Sequence, residues 1–267
     1  MKLSLIVPKE RGSWSLALEP IALGILVAPS APGAALAIAC VAGFFARRPL
    51  KLALVGSQQT HPSNPVATPA PDADPLRFQA ALWAAALGVL ALAVLAAANA
   101  MGRAHALWPL LLATPFGLGF LWCDLRHSQR DTEAELAGSM TFALLPAAFA
   151  TLAGWPAWPA LALAVVAMAR SVPTVLTIRT YLRRHRGQAA RVWLPITAAG
   201  VALVTLIELR NRSLVPWVAP AFAAVLLART AFLAIPGRKP ASARSLGTVE
   251  AIVGAAYVLA VVIAYRW

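Results

Sequence analysis

Charged residues are scarce in this sequence. They make up 12% of the 267 residues, and only 10 of them are Asp or Glu, whereas a soluble domain carries about 25% charged residues. Hydrophobic residues make up 60% of the chain, which is more than one water-soluble core of this size can bury. This composition excludes a disordered chain, a collagen and an ordinary cytosolic enzyme, and it favours a protein that lies in a lipid bilayer.

Cysteine and histidine are also rare, which limits the chemistry that the chain can perform. Cys40 and Cys123 fall within or at the end of apolar segments, so we interpret both as packing residues and not as a disulfide or metal pair. The 4 histidines lie in separate loops without the spacing of metal ligands. Because the chain also has no GxSxG, HExxH, Walker A or CxxC motif, we predict no cofactor.

The sequence does contain long runs of residues without charge. Residues 80–102 and 104–123 contain no charged side chain, and residues 136–169 form a longer run that Gly154-Trp155-Pro156 interrupts. An α-helix of about 20 apolar residues crosses the hydrocarbon core, so the longer run predicts two helices joined by a tight turn. Residues 1–267 therefore form a single integral membrane domain, an all-α polytopic bundle of nine helices, with eight or ten as alternatives. The predicted helices are residues 12–28, 33–47, 77–98, 104–122, 134–153, 157–180, 190–208, 213–234 and 246–265.

Positive charge is distributed unequally between the two sides of this bundle. Of the 23 Lys and Arg residues, seventeen fall on the side that includes the N-terminus, which we call the basic side. This asymmetry predicts a cytoplasmic N-terminus and a C-terminus outside. It also disfavours nucleic acid as a partner, because basic residues that alternate with membrane spans form no continuous reading surface. Four arginines fall on the opposite side: Arg103, Arg210, Arg212 and Arg266.

The connection between the second and third helices is long and rich in proline. We predict that the second helix breaks near Pro49 and that the apolar residues 50–55 lie along the membrane interface. Residues 56–76 include several prolines and form a predicted cytoplasmic loop. Two interpretations of this loop remain open, a flexible linker and a cover over the cytoplasmic mouth of the bundle.

A short acidic segment precedes the fifth helix. Asp131 and Glu135 stand four residues apart and share a helix face. Two carboxylates at this spacing can hold Mg²⁺ through water, but acidic residues also stabilise a helix N-terminus. Asp131 or Thr132 is a candidate N-cap, and Glu135 would complete a capping box with Thr132. Both interpretations remain open.

A polar stripe follows the sixth helix and its continuation. Its members recur at alternating steps of four and three residues, so they share one helix face. They are Arg170, Thr174, Thr177, Tyr181 and Arg184. An arginine inside a membrane span costs several kcal/mol unless it snorkels or faces a polar environment. Two explanations are open for Arg170: it lines a polar cavity, or it pairs with a carboxylate of a neighbouring helix.

Other ionisable residues are predicted at a similar depth on the basic side. They are Glu10, Arg11, Glu19, Arg229 and Glu250. Both signs are present, so these side chains can pair with one another, but the positive excess leaves a vestibule that suits a phosphate, a diphosphate or a carboxylate. Three arginines on the opposite face of the sixth helix are expected to contact anionic lipid headgroups: Arg179, Arg183 and Arg186.

The N-terminal motif resembles a known family. Pro8-Lys9-Glu10-Arg11-Gly12-Ser13-Trp14 is similar to the Pro-Lys-Glu-His-Gly-Ala-Trp opening of the YwiC-like family of bacterial membrane proteins, with Arg11 where His is usual. The resemblance implies a protein of the bacterial inner membrane and implies no activity. Shorter matches to the family are Arg48-Pro49, residues 135–138, residues 179–187 and residues 246–250.

The predicted architecture also resembles that of UbiA-type prenyltransferases. These enzymes have nine helices and place two aspartate-rich motifs near the loops after helices two and six, where they hold Mg²⁺ on a prenyl diphosphate. Here the corresponding segments are basic, beginning with Arg47-Arg48 and with residues 183–186. The resemblance therefore extends to architecture only, and we do not expect Mg²⁺.

Together these features predict a protein that binds an anionic or lipidic ligand in a polar cavity on the cytoplasmic side. Its expected partners are membrane lipids and an anionic or isoprenoid ligand. If the protein is an enzyme, it is a membrane-embedded transferase; the alternatives are a small transporter or channel for an anionic solute and an assembly partner of a membrane complex. The candidate ligand-binding residues are Glu10, Arg11, Arg48, Arg170, Thr174, Thr177, Tyr181, Arg184, Arg229 and Glu250.

Overall fold

The fold is an all-helical bundle. The computed structural model describes residues 12–55, 73–103, 105–125, 132–235 and 243–267. In this part of the chain the helices are α1 (Gly12–Val27), α2 (Ala31–Val55), α3 (Ala73–Met101), α4 (Trp108–Leu125), α5 (Thr132–Ala143), α6 (Leu145–Leu152), α7 (Ala157–His185), α8 (Trp193–Asn211), α9 (Val218–Ala234) and α10 (Ala243–Arg266). The turn at Leu144 divides one longer helical segment into α5 and α6, so the described residues form nine helical segments.

Length and hydropathy fit a membrane. Six of the spans are long and apolar enough to cross a bilayer, and the three remaining ones are shorter apolar helices. The predicted polytopic bundle of nine helices is therefore confirmed. The shorter spans are α1, α4 and α9.

The second helix differs from its prediction. It continues without a break through Pro49 to Val55, so the predicted break and the interfacial segment are wrong. A proline inside a helix removes one backbone hydrogen bond and pushes against the preceding turn, but membrane helices tolerate this when neighbouring helices pack around it. Pro49 is fully buried. Of the predicted loop 56–76, residues 73–76 belong to α3 and the rest lie outside the described residues.

The relative directions of three helices support an odd number of crossings between the ends of the chain. Arg266 Nη2 donates to the carbonyl of Leu26 at 3.1 Å, and the Glu19 carboxylate lies against Gly254, so α1 and α10 are parallel. Tyr257 Oη donates to the carbonyl of Val166 at 2.8 Å, whereas the earlier residue Glu250 contacts Arg170 on α7. α7 and α10 are therefore antiparallel, as the sixth and ninth crossings must be.

Small side chains make the core. Every residue of α6 is buried, and alanines such as Ala147, Ala148 and Ala160 are completely inaccessible. Between helices in lipid the driving force is close packing rather than the hydrophobic effect, and small residues allow that packing. At one such close approach a Cβ on Gly24 of α1 would overlap the ring of Phe149 on α6.

We expect Gly24→Ala to lower the thermal stability of the detergent-solubilised protein, because the added methyl group forces α1 away from Phe149. Overpacking of this kind costs about 1–3 kcal/mol. Gly43→Ala is the matched control, since a Cβ there meets nothing within 4 Å and alanine is the better helix former. Equal melting temperatures for the two variants would contradict the close α1–α6 contact.

Candidate functional site

A buried ion-pair network joins four helices near the middle of the bundle. It contains Arg170 of α7, Arg229 of α9, Glu250 of α10 and Glu19 of α1. Arg170 is 4% exposed and Glu250 is 5% exposed. Among these four described residues, two positive charges face two negative charges. We call these four residues the charged cluster.

Arg170 is the centre of the charged cluster. Its Nη1 lies 3.2 Å from Glu250 Oε2, and its Nε lies 3.6 Å from Glu19 Oε2. Its Nη2 donates to the backbone carbonyl of Glu250 at 3.0 Å, and its Nη1 donates to Thr174 Oγ1. Arg229 Nη2 contacts the other carboxylate oxygen of Glu250. Glu250 therefore lies between the two guanidinium groups.

Charge holds the cluster more than hydrogen-bond geometry does. Arg170 Nε, Arg229 Nη2 and both carboxylate oxygens of Glu250 are buried and have no partner in hydrogen-bond geometry, although their ion-pair contacts are close. Taking four charges out of water is costly, and apolar side chains would often stabilise a bundle equally well. Ionisable residues buried in this way are often functional in membrane proteins.

Gly254 and Tyr257 of α10 mark two places where neighbouring groups pack tightly around the charged cluster. A Cβ on Gly254 would overlap the Glu19 carboxylate, so only glycine at this position lets α1 bring Glu19 against α10. On the side away from the basic loops, Tyr257 packs edge-on against Phe222 with 5.1 Å between ring centroids. Its hydroxyl is bound to the carbonyl of Val166. The cluster thus lies below a packed aromatic pair.

A narrow crevice lies between the charged cluster and the basic side. Its lining includes Thr177, Tyr181 and Arg184 of α7 together with Thr230 of α9. Thr177 Oγ1 and Thr230 Oγ1 are 3.0 Å apart, and Arg184 Nη1 donates to the carbonyl of Ala234 at 2.7 Å. Arg184 therefore binds the C-terminal end of α9, where a cation is favourable. The crevice has a volume of about 10 Å³, the space of about one water molecule.

The structure places the whole predicted stripe along the charged cluster and the crevice. Thr174 contacts Arg170 of the charged cluster, and the other three stripe residues line the crevice. The predicted residues Arg229 and Glu250 belong to the charged cluster. Arg48 belongs to α2, which packs chiefly against α3. Glu10 and Arg11 lie outside the described residues. Thr230 was missed by the sequence analysis, although it follows Arg229 directly in an otherwise apolar helix.

Arg170 was expected either to line a polar cavity or to pair with a carboxylate of a neighbouring helix. The pairing explanation accounts for its burial, because Glu19 and Glu250 both contact its guanidinium group. The ligand-sized cavity stays a prediction, since the crevice holds little more than a water molecule.

Glu135 lies in the first turn of α5, as its interpretation as a helix N-terminal residue predicted, and it has a further partner that the sequence did not indicate. Arg179 of α7 forms a bidentate pair with both of its carboxylate oxygens, so Arg179 contacts a protein carboxylate in place of the expected headgroup. Asp131 lies outside the described residues. Within the described part of the chain, no group of three or more His, Cys, Asp or Glu residues is arranged to hold a metal. The absence of a cofactor stays a prediction.

Comparison with known proteins identifies the family. A model of the YwiC-like protein family matches residues 7–150, which is more than half of the chain. The chain therefore belongs to the YwiC-like family, as its N-terminal motif suggested. No curated protein and no solved structure gave a match, so the resemblance to UbiA-type prenyltransferases stays a prediction.

Glu250→Gln should strongly destabilise the protein, because it leaves Arg229 and one side of Arg170 without a counter-charge. Breaking a buried ion pair in this way costs about 3–5 kcal/mol. The matched control is Glu208→Gln, whose partner Arg212 is 67% exposed, and an exposed pair contributes about 0–1 kcal/mol. Thermal unfolding in one detergent compares the two variants, and similar losses would argue against a buried cluster.

Gly254→Ala should separate α1 from α10, because the new methyl group would occupy the position of the Glu19 carboxylate. We expect a lower melting temperature and partial recovery in Glu19→Ala/Gly254→Ala, which has room for the methyl group. Gly247→Ala is a control in the same helix, since a Cβ there meets nothing within 4 Å. A neutral Gly254→Ala variant would show that α1 does not approach α10 this closely.

Proposed function

We propose that this member of the YwiC-like family is an integral protein of the bacterial cytoplasmic membrane that binds an anionic, lipidic ligand from its basic side. The supporting observation is that polar residues continue from Arg184 at the basic end of α7 to Arg170 in its interior. We call this series, which includes the crevice and the charged cluster, the polar column.

The polar column is one-sided. Residues 157–169 of α7, which precede Arg170, include no charged side chain. Ala160, Leu163 and Val166 in this segment are completely buried, and Tyr257 covers the charged cluster from the same direction. A ligand would therefore approach from the basic side and would not cross the bundle.

The chemistry of the crevice suits an anionic group at the membrane edge. Arg184 supplies a charged donor, and Thr180, Tyr181 and Thr230 supply hydroxyl groups beside it. Hydrogen bonds from a guanidinium group to a phosphate or carboxylate are among the strongest in proteins. The apolar residues Val192, Leu233 and Ala234 on the same wall would accommodate part of a hydrocarbon chain. A transferase acting on a lipid or prenyl diphosphate is one form that this function could take.

The transporter alternative is less well supported. A transport path needs polar groups along its whole length, whereas α7 beyond the charged cluster is apolar and packed with alanine. α3 has the surface that an assembly role would need, because only 6% of its most apolar segment is buried. That surface can face either lipid or a partner.

Titration with farnesyl diphosphate tests the proposed site, and farnesol is the neutral match with the same hydrocarbon chain. We expect the diphosphate to bind and Arg184→Gln to weaken its binding about 10- to 100-fold, because a hydrogen bond from a charged donor contributes roughly 1.5–3 kcal/mol. The glutamine can still donate to the carbonyl of Ala234, which limits structural damage. Calorimetry on detergent-solubilised protein gives the affinities.

Arg186→Gln is the matched control, since it removes the same charge from an exposed position near the same end of α7. We expect its affinity to stay within about twofold of the wild type. Equal weakening by both substitutions would mean that the ligand senses only the overall charge of the basic side. Equal binding of farnesol would exclude recognition of the anionic group.

A further inference from the structure

Glu250 occupies the position that an anionic ligand would take. Its carboxylate lies between the guanidinium groups of Arg170 and Arg229, which come from two different helices. Convergence of two arginines on one carboxylate is a common way to bind an oxyanion. Here the oxyanion belongs to the protein itself.

Ion pairs hold the Glu250 carboxylate in this position. Its Oε2 contacts the guanidinium group of Arg170, and its Oε1 contacts that of Arg229. A carboxylate ligand in the same position could form the same two ion pairs.

The charges that remain when Glu250 is removed favour the binding of one anion. Without Glu250 the described members of the cluster would be Arg170, Arg229 and Glu19, whose charges sum to +1. Glu19 lies on α1 and would remain next to Arg170. One monovalent oxyanion would replace the negative charge that Glu250 supplies.

We propose that Arg170 and Arg229 form a carboxylate-binding site and that Glu250 is its internal occupant, which a carboxylate ligand displaces. The site lies about two helical turns deeper than the crevice, since Arg170 precedes Thr177 by seven residues in α7. The inference goes beyond the proposed function and depends on no particular lipid. The carboxylate can belong to a soluble acid or to a fatty acid in the membrane.

Chemical rescue of Glu250→Ala tests this site. The substitution removes Cγ, Cδ and both oxygens, which together have the shape of acetate. We expect acetate to raise the melting temperature of the variant in lipid nanodiscs, with a shift that grows with the logarithm of concentration. Acetamide, which is neutral and of the same size, should give no comparable shift.

Two further variants separate binding from general stabilisation. Glu250→Gln keeps the volume of the side chain, so acetate should not rescue it. The double variant Arg170→Met/Glu250→Ala lacks one arginine of the site and should also fail to respond. If acetate stabilises the double variant as much as Glu250→Ala, or acts no better than acetamide, the proposal is wrong.

The same assay identifies the source of the carboxylate. Octanoate partitions into the bilayer, and methyl octanoate is its neutral match. Rescue by octanoate at concentrations where acetate is inactive assigns the site to a membrane-borne acid. Rescue by acetate at concentrations where octanoate is inactive assigns the site to a soluble acid. Both results support the site, whereas rescue by neither carboxylate overturns it.

Instability of Glu250→Ala does not prevent the test. If the variant aggregates during purification, the yield of monodisperse protein in acetate and in acetamide replaces the melting temperature, and equal yields overturn the proposal. Rescue by acetate without binding of farnesyl diphosphate would contradict only the proposed function. Binding of farnesyl diphosphate without rescue would contradict only the carboxylate site.

Discussion

The guanidinium group of Arg170 has to be neutralised inside the bundle, and the positions of four helices depend on how this is done. Its partners come from α1 and α10, and Glu250 in turn neutralises Arg229 of α9. In a medium of low polarity an unpaired charge is far more costly than an unfilled apolar contact. Ion pairs therefore join α1 to α7, α9 and α10, although α1 lies at the opposite end of the chain from the other three helices.

Close packing makes this neutralisation geometrically feasible. The Glu19 carboxylate reaches the cluster because Gly254 leaves space for it, and α1 meets α6 at Gly24 in a similar way. Alanine fills much of the remaining core, so neighbouring backbones approach one another without large side chains between them. The small residues thus allow the helices to approach closely enough for the buried charges to pair.

The same arrangement gives the molecule two different halves. On the basic side, hydroxyl groups and Arg184 continue the polar column to the membrane edge, and Arg184 also caps the C-terminal end of α9. On the opposite side, Tyr257 and the apolar part of α7 close the bundle. The proposed exchange of an internal carboxylate for an external one would take place at the inner end of this column.

The sequence by itself determined the membrane class, the number of crossings and the polar face of α7, because hydropathy, chain length and helical periodicity are local properties. It predicted too early an end for the second helix, since the tolerance of Pro49 depends on neighbours that pack around it. Only the tertiary structure decided that Arg170 pairs with Glu19 and Glu250 and that Arg179 pairs with Glu135. Many pairings satisfy the same count of charges, and the choice among them depends on which helices are adjacent and how each is rotated about its axis.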